Sequence, residues 1–559
     1  MKKYPTILYS LVVFSASIFL TGFVANSQTQ QQQTEKRYSM GTNVPAADLT
    51  KIESALPQSA FVKPKKPRTL LIFDLNVNYG GHPSAAYANV AFKMMGEKTG
   101  AFKTVISSDP SVFEKESLKS YDAVFFNNNV GNLFTNRDLR ENLAEFVYGG
   151  GGLMGVHGTT VAFTIWPGAI EDWEEFGIML GARGANHREN TELITVKIDD
   201  PTHPLNRIFG GKSFEYRDEF FRYQTVYSRD KLRVLLSIDT NKLDLAPAKS
   251  YGNTIRKDHD YAIAWVRSYG RGRVFHSTIA HNTYVFQDPM MLKFYLGAVQ
   301  FVLGDLDAPT TPSGKLNSFT KALENLNWHA GTRLAFSENI SIEEFAEMAH
   351  DNNVYEICVP YGINIFRNND FKFKSNLPDP QKERFRLMLD KFCVRMTTCE
   401  LSDSDVGIGG LNSVFEFLKI MGVESVVIPY NKANIRQLAE IGRQNEIQII
   451  VNPPADSDFT VLNDKDLSSG GDVGLLAVLN SKESISSLTT ALKPEKSNVS
   501  AVLLSRNVAG NITEIEKLFG RIKENGVRNF RIWLNCDKKD AQTVPDLMNV
   551  VSNVVVRIQ

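Results

Sequence analysis

Of nine histidines, seven fall between positions 82 and 281 (His82, His157, His187, His203, His259, His276 and His281), while only His329 and His350 lie beyond. Imidazole exchanges protons near neutrality, so a cluster of this kind suits general acid–base work. His82 follows the loop 78–81, His157 closes the apolar run 153–157, and His281 follows the run 273–278. The adjacent Asp218 and Glu219 add carboxylates; in an extended segment they point to opposite sides, so at most one can join the imidazoles. The chemistry expected is proton exchange with a sugar-like substrate. His157 is the central acid/base, His82 and His281 position or polarise, and Asp218 or Glu219 orients. Two or three histidines with a carboxylate could instead hold a divalent ion, although no HExxH-like spacing fixes such a site and no ligand is assigned. His187 and Trp265 are candidate substrate contacts, and Trp166, Trp173 and Trp265 candidate ring platforms or core. His203, in the turn 200–204, reads as a cap as readily as a chemical group, and His259 and His276 as structural or solvent-facing.

The elements that must position these groups centre on residues 149–158, Gly-Gly-Gly-Gly-Leu-Met-Gly-Val-His-Gly. The glycines lift the chain out of a helix, residues 153–156 form a short buried strand, and Gly158 permits a tight turn after His157. Such an elbow would suit a nucleophile, but imidazole stands where Ser or Cys is needed for acyl-enzyme chemistry. Further strands are expected at 68–75, 103–108 and 123–129, with helices at 84–97 and 136–148, giving a doubly wound α/β sheet that binds ligands at its carboxyl edge. Longer β segments follow at 191–198, 232–238 and 261–277, the last a hairpin about residues 269–272, and a helix at 289–303 closes the domain. Residues 305–314 read as a linker, and 306–327 as linker plus leading helix. Eight apolar runs then recur near Arg333, Val354, Cys393, Ser425, Gln448, Val473, Val499 and Phe530, a (β/α)8 rhythm over 328–559. Asn452, Asn480 and Asn535 stand at strand ends there and could bond sugar hydroxyls.

With 62 basic and 62 acidic residues among 559, no nucleic-acid field is implied. Lys2 and Lys3 before the apolar stretch 6–25 read as a signal peptide over 1–27, followed by a Gln-rich linker over 28–67, so the mature chain is expected to be exported, to a periplasm, without a stable membrane anchor. An uncleaved anchor is the alternative, since the run approaches spanning length. Cys358, Cys393, Cys399 and Cys536 form no compact framework and read as buried thiols.

Residues 68–305 resemble the ThuA-like family, associated with trehalose utilisation, whose fold is similar to class I glutamine amidotransferases. The resemblance rests on His82, the run 151–157, His203-Pro204, Asp218-Glu219, Ala264-Trp265, the run 270–275 and His281. It implies action on a sugar or keto-sugar; His157 replaces the amidotransferase cysteine, so glutaminase activity is not implied. Residues 328–559 resemble, in rhythm rather than motif, a degenerate xylose-isomerase-like barrel, none of whose metal ligands is matched. Together these imply an exported carbohydrate-active protein working by hydrolysis, elimination or isomerisation. The alternative is a non-catalytic carbohydrate-binding or scaffold protein.

Overall fold

The computed structural model describes residues 35–184, 186–243, 252–336, 339–406, 410–431, 435–453, 473–492, 498–536 and 544–559. The expected signal segment lies outside them. Among the described residues, no helix is long and apolar enough to cross a membrane.

The first domain is a nine-stranded mixed sheet. Its strands are β2 (Thr69–Phe73), β4 (Lys103–Ser107), β5 (Ala123–Asn127), β6 (Gly152–Val156), β7 (Glu192–Ile198), β8 (Phe214–Asp218), β9 (Arg233–Ile238), β10 (Ala262–Tyr269) and β11 (Gly272–Ser277), in the order β4-β2-β5-β6-β11-β10-β9-β7-β8. The first five in that order are parallel; β10, β9, β7 and β8 extend the sheet antiparallel. The apolar runs of β5 and β6 are buried throughout, as a sheet covered on both faces requires. Helices Ser84–Thr99 and Pro289–Val302 fill one face. Helices Arg137–Tyr148 and Glu174–Leu180 fill the other. Gly152 is required here: a Cβ would lie 2.2 Å from the Val302 carbonyl oxygen of the overlying helix.

The stretch 28–67, expected to be a linker, is built into this domain from residue 37 onward. A two-residue ribbon pairs β1 (Arg37–Tyr38) with β3 (Asn76–Val77), and helix Ala46–Ala55 buries Ile52 and Ala55. Single polar side chains tie it down. Asp74 accepts from the Met40 and Gly41 N–H groups, and Gln300 accepts from those of Phe61 and Val62. Such long-range bonds leave no periodic trace in a polar sequence. The 305–314 segment is likewise packed, with the Ser313 N–H donating to the Leu232 carbonyl at 2.8 Å.

The second domain is a closed barrel of eight parallel strands, β12 (Trp328–Leu334), β13 (Glu356–Pro360), β14 (Arg395–Glu400), β15 (Ser425–Pro429), β16 (Gln448–Asn452), β17 (Val473–Leu479), β18 (Val499–Leu504) and β19 (Phe530–Cys536). All four cysteines are free thiols. The two domains meet through their amino ends. Arg395, at the start of β14, donates to the Gly270 carbonyl in the β10–β11 turn, and Arg271 donates to the Glu446 carbonyl just before β16. On the helices, Arg386 from Asp379–Lys391 is fully buried between Glu141 and Glu175 of the first domain, with four N–O contacts of 2.6–3.0 Å. Asp390 receives Arg267 and Lys231 in the same seam.

Removing one member of a buried ion cluster leaves the others without compensation. Arg386→Met is therefore expected to lower the unfolding free energy by about 3–5 kcal/mol, read by urea denaturation of the whole chain; a loss below about 1 kcal/mol, the value of a surface pair, would show that this cluster does not hold the domains together.

Candidate active site

Three chain segments deliver imidazoles to the carboxyl edge of the first sheet. His157 follows β6, His281 follows β11, and His82 precedes the helix that leaves β3. Because β6 and β11 are adjacent and parallel, with Val156 opposite Ser277, their continuations run side by side. His157 sits at φ +42°, a left-handed conformation that costs a non-glycine residue free energy and marks the elbow as built for position. Gly158 makes the elbow possible. Its N–H donates to Asn128 Oδ1 at 2.8 Å, and a Cβ there would lie 2.6 Å from that same oxygen.

The rings of His82, His157 and His281 form a nearly equilateral triangle, with centroid separations of 5.0–5.1 Å. One ligating atom from each can lie within 4.8 Å of the others. Glu219 joins them. One of its oxygens is 3.1 Å from His157 Nε2 and 3.5 Å from His281 Nδ1, and the other is 3.1 Å from His187 Nδ1. Asp218, on the opposite side of the chain, accepts from the N–H groups of His281 and Asn282 and from Asn282 Nδ2. Alternation along the strand thus divides the acidic pair: Glu219 faces the imidazoles, and Asp218 positions the loop that carries His281.

Protonation follows from this geometry. His157 Nδ1 lies 3.0 Å from the Thr278 carbonyl oxygen, which can only accept, so Nδ1 carries the proton and Nε2 presents a lone pair. That lone pair faces His281 Nδ1 at 3.2 Å as well as the Glu219 oxygen. Burial pushes the His157 imidazole down to about 3 and that of His281 to about 4; burial and the neighbouring imidazoles also lower His82. Burial raises the Glu219 carboxyl. An imidazole lowered in this way is uncharged at pH 7, so His157, the expected central acid/base, presents a lone pair there rather than a proton. The group drawn toward neutrality is Glu219. What the three imidazoles offer together is lone pairs, and such donors about 2.0–2.2 Å from a divalent ion stand about 3.0–3.5 Å apart, the range spanned by the His157, His281 and Glu219 atoms.

Of the other expected contacts, His187 is in the cluster and partly open to solvent. Trp265 is not. It is fully buried in β10, its Nε1 donates to the Leu180 carbonyl, and it packs on His276 and Tyr223, because the sheet is covered on both faces there. Asn452, Asn480 and Asn535 stand at carboxyl ends of barrel strands. Since the domains join by their amino ends, these residues face away from the histidines. Asn535 accepts from Arg333, which is paired with Glu400, and Asn480 leads into helix Lys482–Ala491. Trp173 is core, whereas Trp166 is 53% exposed and its ring lies 5.6 Å from that of Tyr79. Tyr79 was not singled out by sequence; its hydroxyl is 3.1 Å from His82 Nε2. Its position three residues before His82, in a strand-end loop, is the signal that could have found it. His203 caps helix Pro204–Phe209, accepting from the Leu205 N–H, and lies outside the cluster.

A doubly wound sheet with an imidazole–carboxylate cluster at its carboxyl edge, followed by a closed (β/α)8 barrel, defines a two-domain α/β protein. Residues 69–302 match the family model described as ThuA, trehalose utilisation, which associates this domain with carbohydrate metabolism. Among solved structures, a ThuA-like protein from Bacteroides uniformis ATCC 8492 is similar at 20% identity, covering 43% of this chain and 93% of its own, with a TM-score of 0.35. A protein from Parabacteroides distasonis ATCC 8503 is similar at 11% identity, covering 41% of this chain and 99% of its own, at 0.33. A xylose isomerase domain protein from Planctomyces limnophilus is similar at 8% identity, covering 41% and 96%, at 0.28. No curated protein matches the chain.

Two histidines outside the cluster give a pH test. Burial holds His203 at about 4 and His276 at about 3. In the unfolded chain both titrate near about 6.5, so below that pH the unfolded state binds more protons and stability falls as pH drops toward 4. The expected slope is roughly 1.4 kcal/mol per pH unit for each histidine. Denaturation curves from pH 7 to 4.5 should show this loss, and His203→Gln should flatten the slope by about one proton's worth; an unchanged slope would contradict a neutral His203.

Proposed function

We propose that the ThuA-like domain is an enzyme acting on a sugar or keto-sugar derivative, with a divalent cation held by His82, His157 and His281 and with Glu219 exchanging the proton. The observation that carries this reading is the meeting of three imidazoles, one ligating atom of each within 4.8 Å of the others, with the Glu219 carboxylate beside them at 3.1 Å from His157 Nε2. A cation there would supply Lewis-acid polarisation of a substrate carbonyl or hydroxyl oxygen. Glu219, steadied by His187 on its other oxygen and raised toward neutrality by burial, is suited to remove and return a proton. His281 and His187 line the open side, where substrate hydroxyls would be bonded. Trp166, reached through Tyr79, offers an apolar face for a pyranose ring at the same mouth. Hydrolysis, elimination and isomerisation all use these groups. The sequence features at 1–27 support export of the chain as part of the same proposal.

A second reading has its own observation. If Glu219 and His157 share a proton instead, the cluster needs no cation and the pocket would bind a carbohydrate without turning it over.

The test is a titration of purified chain with zinc or manganese, followed by incubation with trehalose and its 3-keto derivative. His157→Ala is expected to lose about 100-fold in cation affinity and most turnover, as loss of a ligand should. Glu219→Gln is expected to keep the cation but lose about 100- to 10,000-fold in kcat. Full turnover in both variants would sink the assignment, and binding without turnover by wild type, unaffected by chelator, would support the second reading. At the mouth, Trp166→Ala is expected to raise KM about tenfold with kcat nearly unchanged, since it removes binding common to ground and transition states; an equal fall in kcat would place Trp166 closer to the reaction than the rim.

A further inference from the structure

A cleft of about 1560 Å³ lies on the edge of the first sheet opposite the histidines, between the amino ends of β6 and β11 and the amino face of the barrel. Eleven lysines and arginines line it against five carboxylates, in a chain whose total charges balance. Four of those carboxylates are already answered: Asp122 by Lys66 and Arg68, Glu145 by Lys382, Glu424 by Arg395 and Arg531, and Glu446 by Lys419.

Arg271 and Arg273, from the Gly-Arg-Gly-Arg turn between β10 and β11, are not answered in this way. Arg271 donates only to the backbone carbonyls of Asn445 and Glu446, which orient a guanidinium without neutralising it. Arg273 makes no hydrogen bond or ion pair among the described residues, and it lies against Gly304, where a Cβ would be 2.9 Å from Nη1. Burial lowers the proton affinity of both, opposed more weakly by Glu424 and Glu446 at each and by Asp307 at Arg273. A guanidinium with reduced hydration and no hydrogen-bonded carboxylate gains from an oxyanion, whose two oxygens its fork matches.

We infer that this cleft is an anion site, in which Arg271 and Arg273 take the phosphate, sulfate or carboxylate group of a small molecule. The site is separate from the histidine cluster. β6 spans the sheet between them, and the eight residues from Gly150 to His157 extend over roughly 20 Å.

The experiment is isothermal titration of the full chain, at low salt, with inorganic phosphate, inorganic sulfate and glucuronate in turn. At least one should bind saturably, with affinity falling about tenfold or more in Arg273→Met and in Arg271→Met, since each loses a charge-assisted bond. His157→Ala should leave the affinity unchanged, which separates this site from the proposed catalytic one. Preference for glucuronate would identify an acidic sugar as the carrier, and preference for phosphate or sulfate an ester. The inference is overturned by the absence of saturable binding with all three probes, or by wild-type affinity in either arginine variant shown by circular dichroism to be folded.

Discussion

The chemistry of the sheet edge depends on where one proton sits. The Thr278 carbonyl fixes it on His157 Nδ1, and that leaves the Nε2 lone pair directed at His281 and Glu219. The bond exists because β6 and β11 are parallel neighbours whose register sets Val156 beside Ser277, so that the residues just beyond each strand meet. It persists because the elbow is held from below: Gly158 is pinned to Asn128 Oδ1, and Asn128 Nδ2 in turn donates to Ser84 Oγ. A backbone strained at His157 is tolerated only where such neighbours determine it. Asp218 serves the same end from the other strand by fastening the backbone at 281–282.

Burial then decides what the cluster can do. Burial lowers the His157 imidazole to about 3 and that of His281 to about 4, so both are uncharged at neutral pH. The same desolvation raises the carboxyl of Glu219, so one environment moves the carboxyl and the imidazoles in opposite directions. Phe221, whose ring centroid is 4.1 Å from that of His157, supplies part of that dry wall.

How far this was legible in the sequence follows from what kind of cause each feature has. The convergence of His82, His157 and His281 was readable, because each follows a strand-like apolar run and parallel strands end at one edge. So was the split between Asp218 and Glu219, which strand alternation requires, although not which of the two faces inward. The barrel was readable from eight recurring apolar runs. Protonation was not, since it depends on three-dimensional burial, which leaves no periodic trace in the sequence. Trp265 failed for the same reason: an indole in a strand looks alike whether its face is bare or covered. Helix Ala46–Ala55 was missed because its anchors, Asp74 and Gln300, are single polar residues far away in the chain. The asparagines at the barrel's strand ends were assigned with no knowledge of which way the barrel points.

That direction is set by charge. The seam between the domains is ionic, with Arg386 between Glu141 and Glu175 and Asp390 between Arg267 and Lys231. Ion pairs stripped of water tolerate little misalignment, whereas apolar faces can slide, so such a seam specifies orientation more sharply than it adds stability. The orientation it specifies puts amino ends together and both carboxyl edges outward. The described barrel strands therefore stand at the far edge of the first sheet, and the surroundings of the histidine cluster come from the first domain's own loops. The segment between His157 and helix Glu174–Leu180 is the one so placed: Ile165, Trp166 and Ile170 are 62%, 53% and 96% exposed, and Trp166 reaches the cluster through Tyr79 and His82. Apolar side chains left exposed near a polar cluster, rather than folded into the adjacent core, are a feature that binding surfaces share.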